Sequence, residues 1–227
     1  MRLQPSLVAL LSLISLTHAA TITSTITTSS TPSSTIPPSF SSTPTFENDI
    51  LSAHNFYRSE HNASALTWNA TSAKTATSWS ANCLFKHSGG PTGENLAAGY
   101  ANASASVDAW GLEREQYDWS KPGFSEETGH FTQLVWGNTT SVGCGWTSCQ
   151  GKDGTPGFYV VCEYYPAGNI VGDNNQFFID NVKKQVKGKP TDTVESGVTS
   201  EGSGWRDVRC WAVVLCVAGV VSFVIVL

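Results

Sequence analysis

The stretch GHFTQLVW at residues 129–136, followed by VGCGW at 142–146 and YVVCEYYPAGN at 159–169, decides how this chain folds. His130 and Leu134 sit at i and i+4, which predicts one short helix carrying a histidine. The next two blocks predict strands over Ser141 to Cys149 and Gly157 to Pro166. In the second, Phe158, Val160, Cys162 and Tyr164 alternate with Tyr159, Val161, Glu163 and Tyr165, a period of two. GKDGTPG at 151–157 is the turn between them.

Working back from there, the pattern is helical. Ile50, His54 and Tyr57 mark a helix over Glu47 to Glu60. Ala73, Ala76, Ser80 and Cys83 mark a second over Asn69 to Leu84, with Asn69 as its cap and a face small enough for close packing. A third, capped by Ser104 or Ser106, brings Val107, Trp110, Glu113 and Tyr117 near one face. Helices first and strands last give an α+β arrangement with an antiparallel sheet.

These blocks, together with HNFYR (54–58), LFKHS (84–88), GENLA (93–97) and Trp110, Glu113, Tyr117 in W-x-x-E-x-x-x-Y, occur in the order seen in the CAP superfamily of cysteine-rich secretory, antigen 5 and pathogenesis-related class 1 proteins. The resemblance covers roughly residues 47–185. It implies a three-layer α-β-α sandwich with a central antiparallel sheet. It also implies a cleft in which His87, Glu94, Glu113 and His130 meet.

The chain carries 13 Lys and Arg against 18 Asp and Glu, a net charge of −5, which argues against nucleic acid as a partner. Arg2, the apolar run Leu7 to Leu16 and the small residues after it read as a signal peptide over 1–20. Residues 21–46 form a Ser/Thr/Pro-rich stalk suited to O-glycosylation, with no apolar periodicity. A domain over 47–185, a polar linker over 186–204 and a C-terminal attachment signal over 205–227 complete the organisation. The uncharged apolar run Trp211 to Leu227 after a polar spacer has the pattern of a GPI signal, with a transmembrane helix as the other reading. Asn62, Asn69, Asn102 and Asn138 head N-x-S/T sequons. A secreted or cell-surface protein, held to the membrane through a GPI lipid, is the expected setting.

Six cysteines are present, two of them in the terminal signal. The remaining four, Cys83, Cys144, Cys149 and Cys162, suggest two disulfides in an oxidising compartment, and spacing leaves three connectivities open. The resemblance favours Cys83–Cys149 and Cys144–Cys162.

Two sets of residues carry candidate chemistry. His87 and His130 can ligate a divalent metal such as zinc, with Glu94 and Glu113 orienting them. The bland alternative is a hydrogen-bonded network that holds the cleft together. There is no HExxH spacing and no nucleophilic serine in a recognisable setting, so no residue is assigned as catalytic and no cofactor is required. His54 and Arg58 are expected to be structural, with one side solvated, and His61 to be exposed. The second set is Tyr117, Trp119 and Phe124, on a loop broken by Pro122 and Gly123. Their spacing is similar to the aromatic motif of sterol-binding fungal members, which implies sterols or other small hydrophobic ligands bound at the loop. The expectation is a monomeric, non-enzymatic lipid carrier. A metal-dependent hydrolase at the cleft and a host-interaction module are the alternatives.

Overall fold

The computed structural model describes residues 37–196. The signal peptide, most of the stalk and the attachment signal lie outside them.

Helix α1 spans Thr43–Glu60 and is capped by Ser42, whose hydroxyl accepts from the Thr45 amide. Phe46, Ile50, Ala53, His54 and Tyr57 are buried along it, an i, i+4, i+7, i+8, i+11 stripe. Helix α2 spans Ala70–Ser80, with Asn69 accepting from the Thr71 and Ser72 amides. Helix α3 spans Ala103–Leu112. Its cap is Asn102, not Ser104 or Ser106: the Asn102 Oδ1 accepts from the Ala105 amide at 2.8 Å. α4 is Gly129–Leu134 and α5 is Gln176–Asn181.

Four strands, β1 (Thr67–Trp68), β2 (Gly93–Ala98), β3 (Ser141–Ser148) and β4 (Phe158–Tyr165), form one sheet in the order β1-β3-β4-β2. The three long strands are antiparallel. The two-residue β1 lies parallel to β3, so the sheet as a whole is mixed. The alternation along β4 divides two cores. Val160, Cys162 and Tyr164 join Ile50, Tyr57, Val107, Trp110, Phe131 and Leu134 of α1, α3 and α4. Tyr159 and Val161 join Ala76 of α2 and Leu96 of β2 on the other face. Helices therefore cover both faces, the α-β-α sandwich that the resemblance implied.

α2 lies unusually close to β3. A Cβ placed on Gly143 would fall 2.1 Å from the Asn69 carbonyl oxygen, and one on Gly145 2.3 Å from the Thr77 nitrogen. The structure joins Cys83 to Cys149 and Cys144 to Cys162.

Two domain boundaries move outward. Residues 38–46, assigned to the stalk, belong to the fold: Phe40 and Phe46 are buried, and Phe40 stacks on Phe158 at 4.2 Å. At the other end, residues 186–196 are not a free linker. Arg114 donates to the carbonyls of Lys189, Pro190 and Asp192, and Asp108 accepts from the amides of Val194 and Glu195. Composition hid this segment because backbone groups, not apolar side chains, hold it down.

Candidate functional site

The four cleft residues are arranged as two imidazole–carboxylate pairs around the start of β2 and α4. On β2, alternation sends Glu94 to one face and Asn95 to the other. Glu94 Oε1 meets His87 Nδ1 at 2.7 Å and accepts from the Ser88 amide at 2.9 Å. The His87 side chain is 64% exposed, whereas that of Glu94 is 6% exposed. The hydrogen bond to Glu94 raises the His87 pKa above its ordinary value. Burial pushes Glu94 up, but the bonds from His87 and Ser88 outweigh it and hold the carboxyl below its usual range.

The second pair begins where α3 ends. Glu113 opens a 3-10 turn, and its Oε1 meets His130 Nδ1 at 2.6 Å while its Oε2 accepts from the Phe131 amide. The His130 ring stacks on Trp110 at 6.3 Å. Asn95, the neighbour of Glu94 on β2, donates through its side-chain amide to the His130 carbonyl and to the Tyr164 hydroxyl oxygen. Tyr164 in turn meets His54 Nε2 at 2.8 Å, and His54 Nδ1 meets the Ile50 carbonyl. A neutral His54 that donates from Nδ1 and accepts the Tyr164 O–H at Nε2 satisfies both bonds. Burial, which drops its pKa to about 4, keeps it so.

In both pairs a carboxylate engages Nδ1 and leaves Nε2 for another partner, the orientation of a metal-binding imidazole. Those donors suit zinc. Among the described residues, however, the one group of three or more potential ligands with its atoms within 4.8 Å is His54, Cys144 and Cys162, whose sulfurs are joined in a disulfide. His87, Ser88, Thr92, Glu94, Gln133 and Asn169 line a polar pocket of about 250 Å³.

Sequence reasoning passed over Glu163. It pairs with Glu94 across the β2–β4 ladder, is fully buried, accepts from the Thr92 hydroxyl through Oε2, and has no donor at Oε1 among the described residues. Burial, then the neighbouring Glu94, pushes its pKa up to about 7. The signal was available: the alternation along β4 places Glu163 on the same face as Tyr159 and Val161.

The aromatic loop divides. Tyr117 is buried, and its hydroxyl oxygen accepts from the Gly123 amide. Trp119 is partly buried, 4.8 Å from the Tyr117 ring and 6.2 Å from Phe131. Phe124 alone is exposed, at 50%, resting over Gly129. The three rings thus do not form one exposed surface, because Tyr117 and Trp119 complete the core beside α4. Trp119 does line a second pocket, of about 180 Å³, with His61, Arg114, Lys184, Gln185 and Pro190. His61 is buried rather than exposed and stacks on Trp119. His54 and Arg58 are structural, but both are fully enclosed, with no solvated side.

Residues 51–164 match the model of the cysteine-rich secretory protein family, CAP. Protein PRY2 of Saccharomyces cerevisiae is 46% identical over 142 residues, 60% of this chain and 41% of that one. Secreted protein RBT4 of Candida albicans is 42% identical over 135 residues, covering 56% and 36%. Golgi-associated plant pathogenesis-related protein 1 of Homo sapiens is 39% identical over 147 residues, covering 60% and 92%. The chain spans less than half of the length of PRY2 and RBT4, and nearly all of the human relative. The crystal structure of NaASP2 with Zn2+ superposes with a TM-score of 0.49 at 25% identity, over 61% of this chain and 86% of that one. With the family model matching half of its length, the chain belongs to the cysteine-rich secretory protein (CAP) family.

Proposed function

We propose that this protein is a non-enzymatic extracellular carrier of small hydrophobic molecules, sterols foremost, taken up at the 117–124 loop. The observation that carries the reading is the position of Trp119, a partly buried ring that forms one wall of a pocket while Phe124 of the same loop projects into solvent. Exposed apolar side chains continue beyond Phe124. The Asn169 amide donates to the Gly129 carbonyl, beneath Phe124, and Ile170 and Val171 follow at 47% and 67% exposure. Apolar area of this kind gains about 25 cal/mol per Å² when a ligand covers it. Two relatives bear the name of secreted proteins, which supports an extracellular site of action. Attachment through a GPI lipid is part of the same reading.

The test is binding of cholesterol and ergosterol to the secreted protein, with Phe124→Ser, Trp119→Ala and an EDTA-treated sample alongside. Saturable binding that survives EDTA and weakens in both variants supports the carrier. Full affinity in Phe124→Ser and Trp119→Ala together would remove the loop from the mechanism.

The two carboxylate-held imidazoles support a second reading, a metal-assisted hydrolase. In it His87 and His130 would hold the metal, which would supply an activated water. Glu94 and Glu113 would fix the tautomers. Hydrolytic activity lost on chelation and in Glu94→Ala would favour it over the carrier.

A further inference from the structure

The segment that follows α5 makes contacts unlike those of a tether. From residue 183 to residue 196 it has no helix or strand, yet it is pinned at both ends and in the middle. The His61 Nδ1–H donates to the Lys183 carbonyl, and the Val186 amide donates to the Glu60 carbonyl at 2.7 Å. Arg114, itself paired with Glu60, gives three hydrogen bonds to the carbonyls of Lys189, Pro190 and Asp192. Asp108 takes the amides of Val194 and Glu195 at 2.8 and 3.1 Å. Arg114 and Asp108 are 3% and 6% exposed, so two buried charges, one midway along α3 and one just past its C-terminus, are satisfied largely by the backbone of this one segment.

The adhesion is polar. Lys187, Lys189 and Thr191 are exposed, and little apolar area beyond Val182 and the partly buried Val194 holds the segment down. On lifting, water replaces the backbone bonds and reaches Arg114 and Asp108, so opening costs those charge-assisted bonds but uncovers little apolar area. The segment's inner edge matters because Lys184, Gln185 and Pro190 line the same pocket as Trp119, His61 and Arg114. At about 180 Å³, near the size of cavities that hold a single benzene ring, the pocket is partly open to solvent and too small for a polycyclic molecule.

We propose that residues 183–196 are a lid over a ligand pocket under Trp119, latched by Asp108 and Arg114, which must lift for a polycyclic apolar molecule to reach the Tyr117–Trp119–Phe131 ring cluster. The inference rests on uptake of apolar ligands at the loop, and it adds where the ligand lodges and what controls its entry and release.

Gly188 supplies a variant on the lid itself. Its φ is +72°, and a Cβ there would fall 2.1 Å from Glu60 Oε1. Gly188→Ala therefore pushes the lid outward, while Asp108→Asn weakens the latch from the domain side. In the full secreted chain, three quantities are compared among wild type and both variants: hydrogen exchange of the Val194 and Glu195 amides, solvent exchange of the Trp119 indole N–H by NMR, and release of the fluorescent sterol dehydroergosterol. Loss of about one charge-assisted hydrogen bond predicts about tenfold faster exchange at 194 and 195 with β3 and β4 amides unchanged. Trp119 exchange and sterol release should accelerate in step. Open lid amides with an unchanged Trp119, or with unchanged release of a bound sterol, would overturn the lid. If the wild type binds no sterol, the carrier reading fails on its own, and the lid is judged by Trp119 exchange alone.

Discussion

Glu94 and Glu163 stand opposite one another on neighbouring strands, and Glu163 gives up its proton at much higher pH than Glu94 does. Glu94 is held charged by His87 and Ser88. Glu163, enclosed behind it, keeps a proton to about pH 7, whereas a free Glu side chain loses it near 4.5. Between those values the folded protein holds a proton that the unfolded chain has released, so this residue makes stability fall as pH rises through 4.5 to 7. His54 and His61 act in the other direction. Burial lowers both to about 4 from 6.5, so the unfolded chain takes up protons first as pH falls through that window, and stability is lost on the acid side. Glu163→Gln removes only the first effect. Its advantage over wild type should therefore grow from pH 4.5 to pH 8 and reach on the order of 2–3 kcal/mol. Urea unfolding at the two pH values measures it, and an advantage independent of pH would show that the carboxyl does not hold the proton.

Arg58 is a buried cation with no carboxylate partner among the described residues. Its guanidinium donates to the carbonyls of Ser64, Leu134, Trp136 and Thr139, tying α1 to the turn between α4 and β3. Burial lowers its pKa to about 10, so it stays charged at neutral pH. Arg58→Ala leaves those carbonyls without donors and should cost about 3–5 kcal/mol. Arg58→Lys should recover less than half of that, because one ammonium cannot span four acceptors held by a planar fork. Secretion yield and thermal unfolding of both variants read the difference.

What could be read from the sequence follows where periodicity was strong. Ile50, His54 and Tyr57 announce α1, and the alternation of residues 158–165 announces β4, because one apolar face or stripe leaves a period in the chain. β2 escaped because Leu96 is buried against α2 and Ala97 against the other core, so its middle shows no alternation, while Glu94 and Asn95 make its start look like a loop. Phe40 and Phe46 were concealed by the Ser/Thr-rich stretch around them. Residues 186–196 gave no signal, since Arg114 and Asp108 grip backbone atoms that every sequence possesses. The two imidazole–carboxylate pairs were legible through family order alone: His87 lies in a loop and Glu94 on β2, while Glu113 lies in a 3-10 turn and His130 on α4, so no single helix or strand period joins either pair.

The glycines of VGCGW set the distance between α2 and the sheet. Gly143→Ala would place a methyl 2.1–2.2 Å from the Asn69 carbonyl oxygen and the Ala73 nitrogen, and Gly145→Ala would meet the Thr77 backbone. Backbone cannot rotate away as a side chain can, so α2 must lift from β3, at about 3 kcal/mol or more. Gly90→Ala is the control, with its nearest neighbour the Ser88 hydroxyl at 3.4 Å. Thermal unfolding should drop steeply for the first two and barely move for the third. Equal behaviour of all three would mean that α2 does not pack on those glycines.

The four sequon asparagines differ in what their side chains already do. Asn69 and Asn102 cap α2 and α3 through Oδ1, and the Asn102 amide also reaches Glu195. Asn62 has a left-handed backbone at φ 55°, a conformation that asparagine tolerates better than most residues. Asn138 is exposed, and only its backbone amide is engaged, by Asn181. In enzymatically deglycosylated protein, Asn69→Gln and Asn102→Gln should each lose about 1 kcal/mol as the cap is lost. Asn62→Gln should lose a similar amount through backbone strain, about 1 kcal/mol. Asn138→Gln should unfold with the wild type. A uniform loss across all four, with the sugars already removed, would show that the caps and the Asn62 backbone do not set these positions apart, and the capping account would fall.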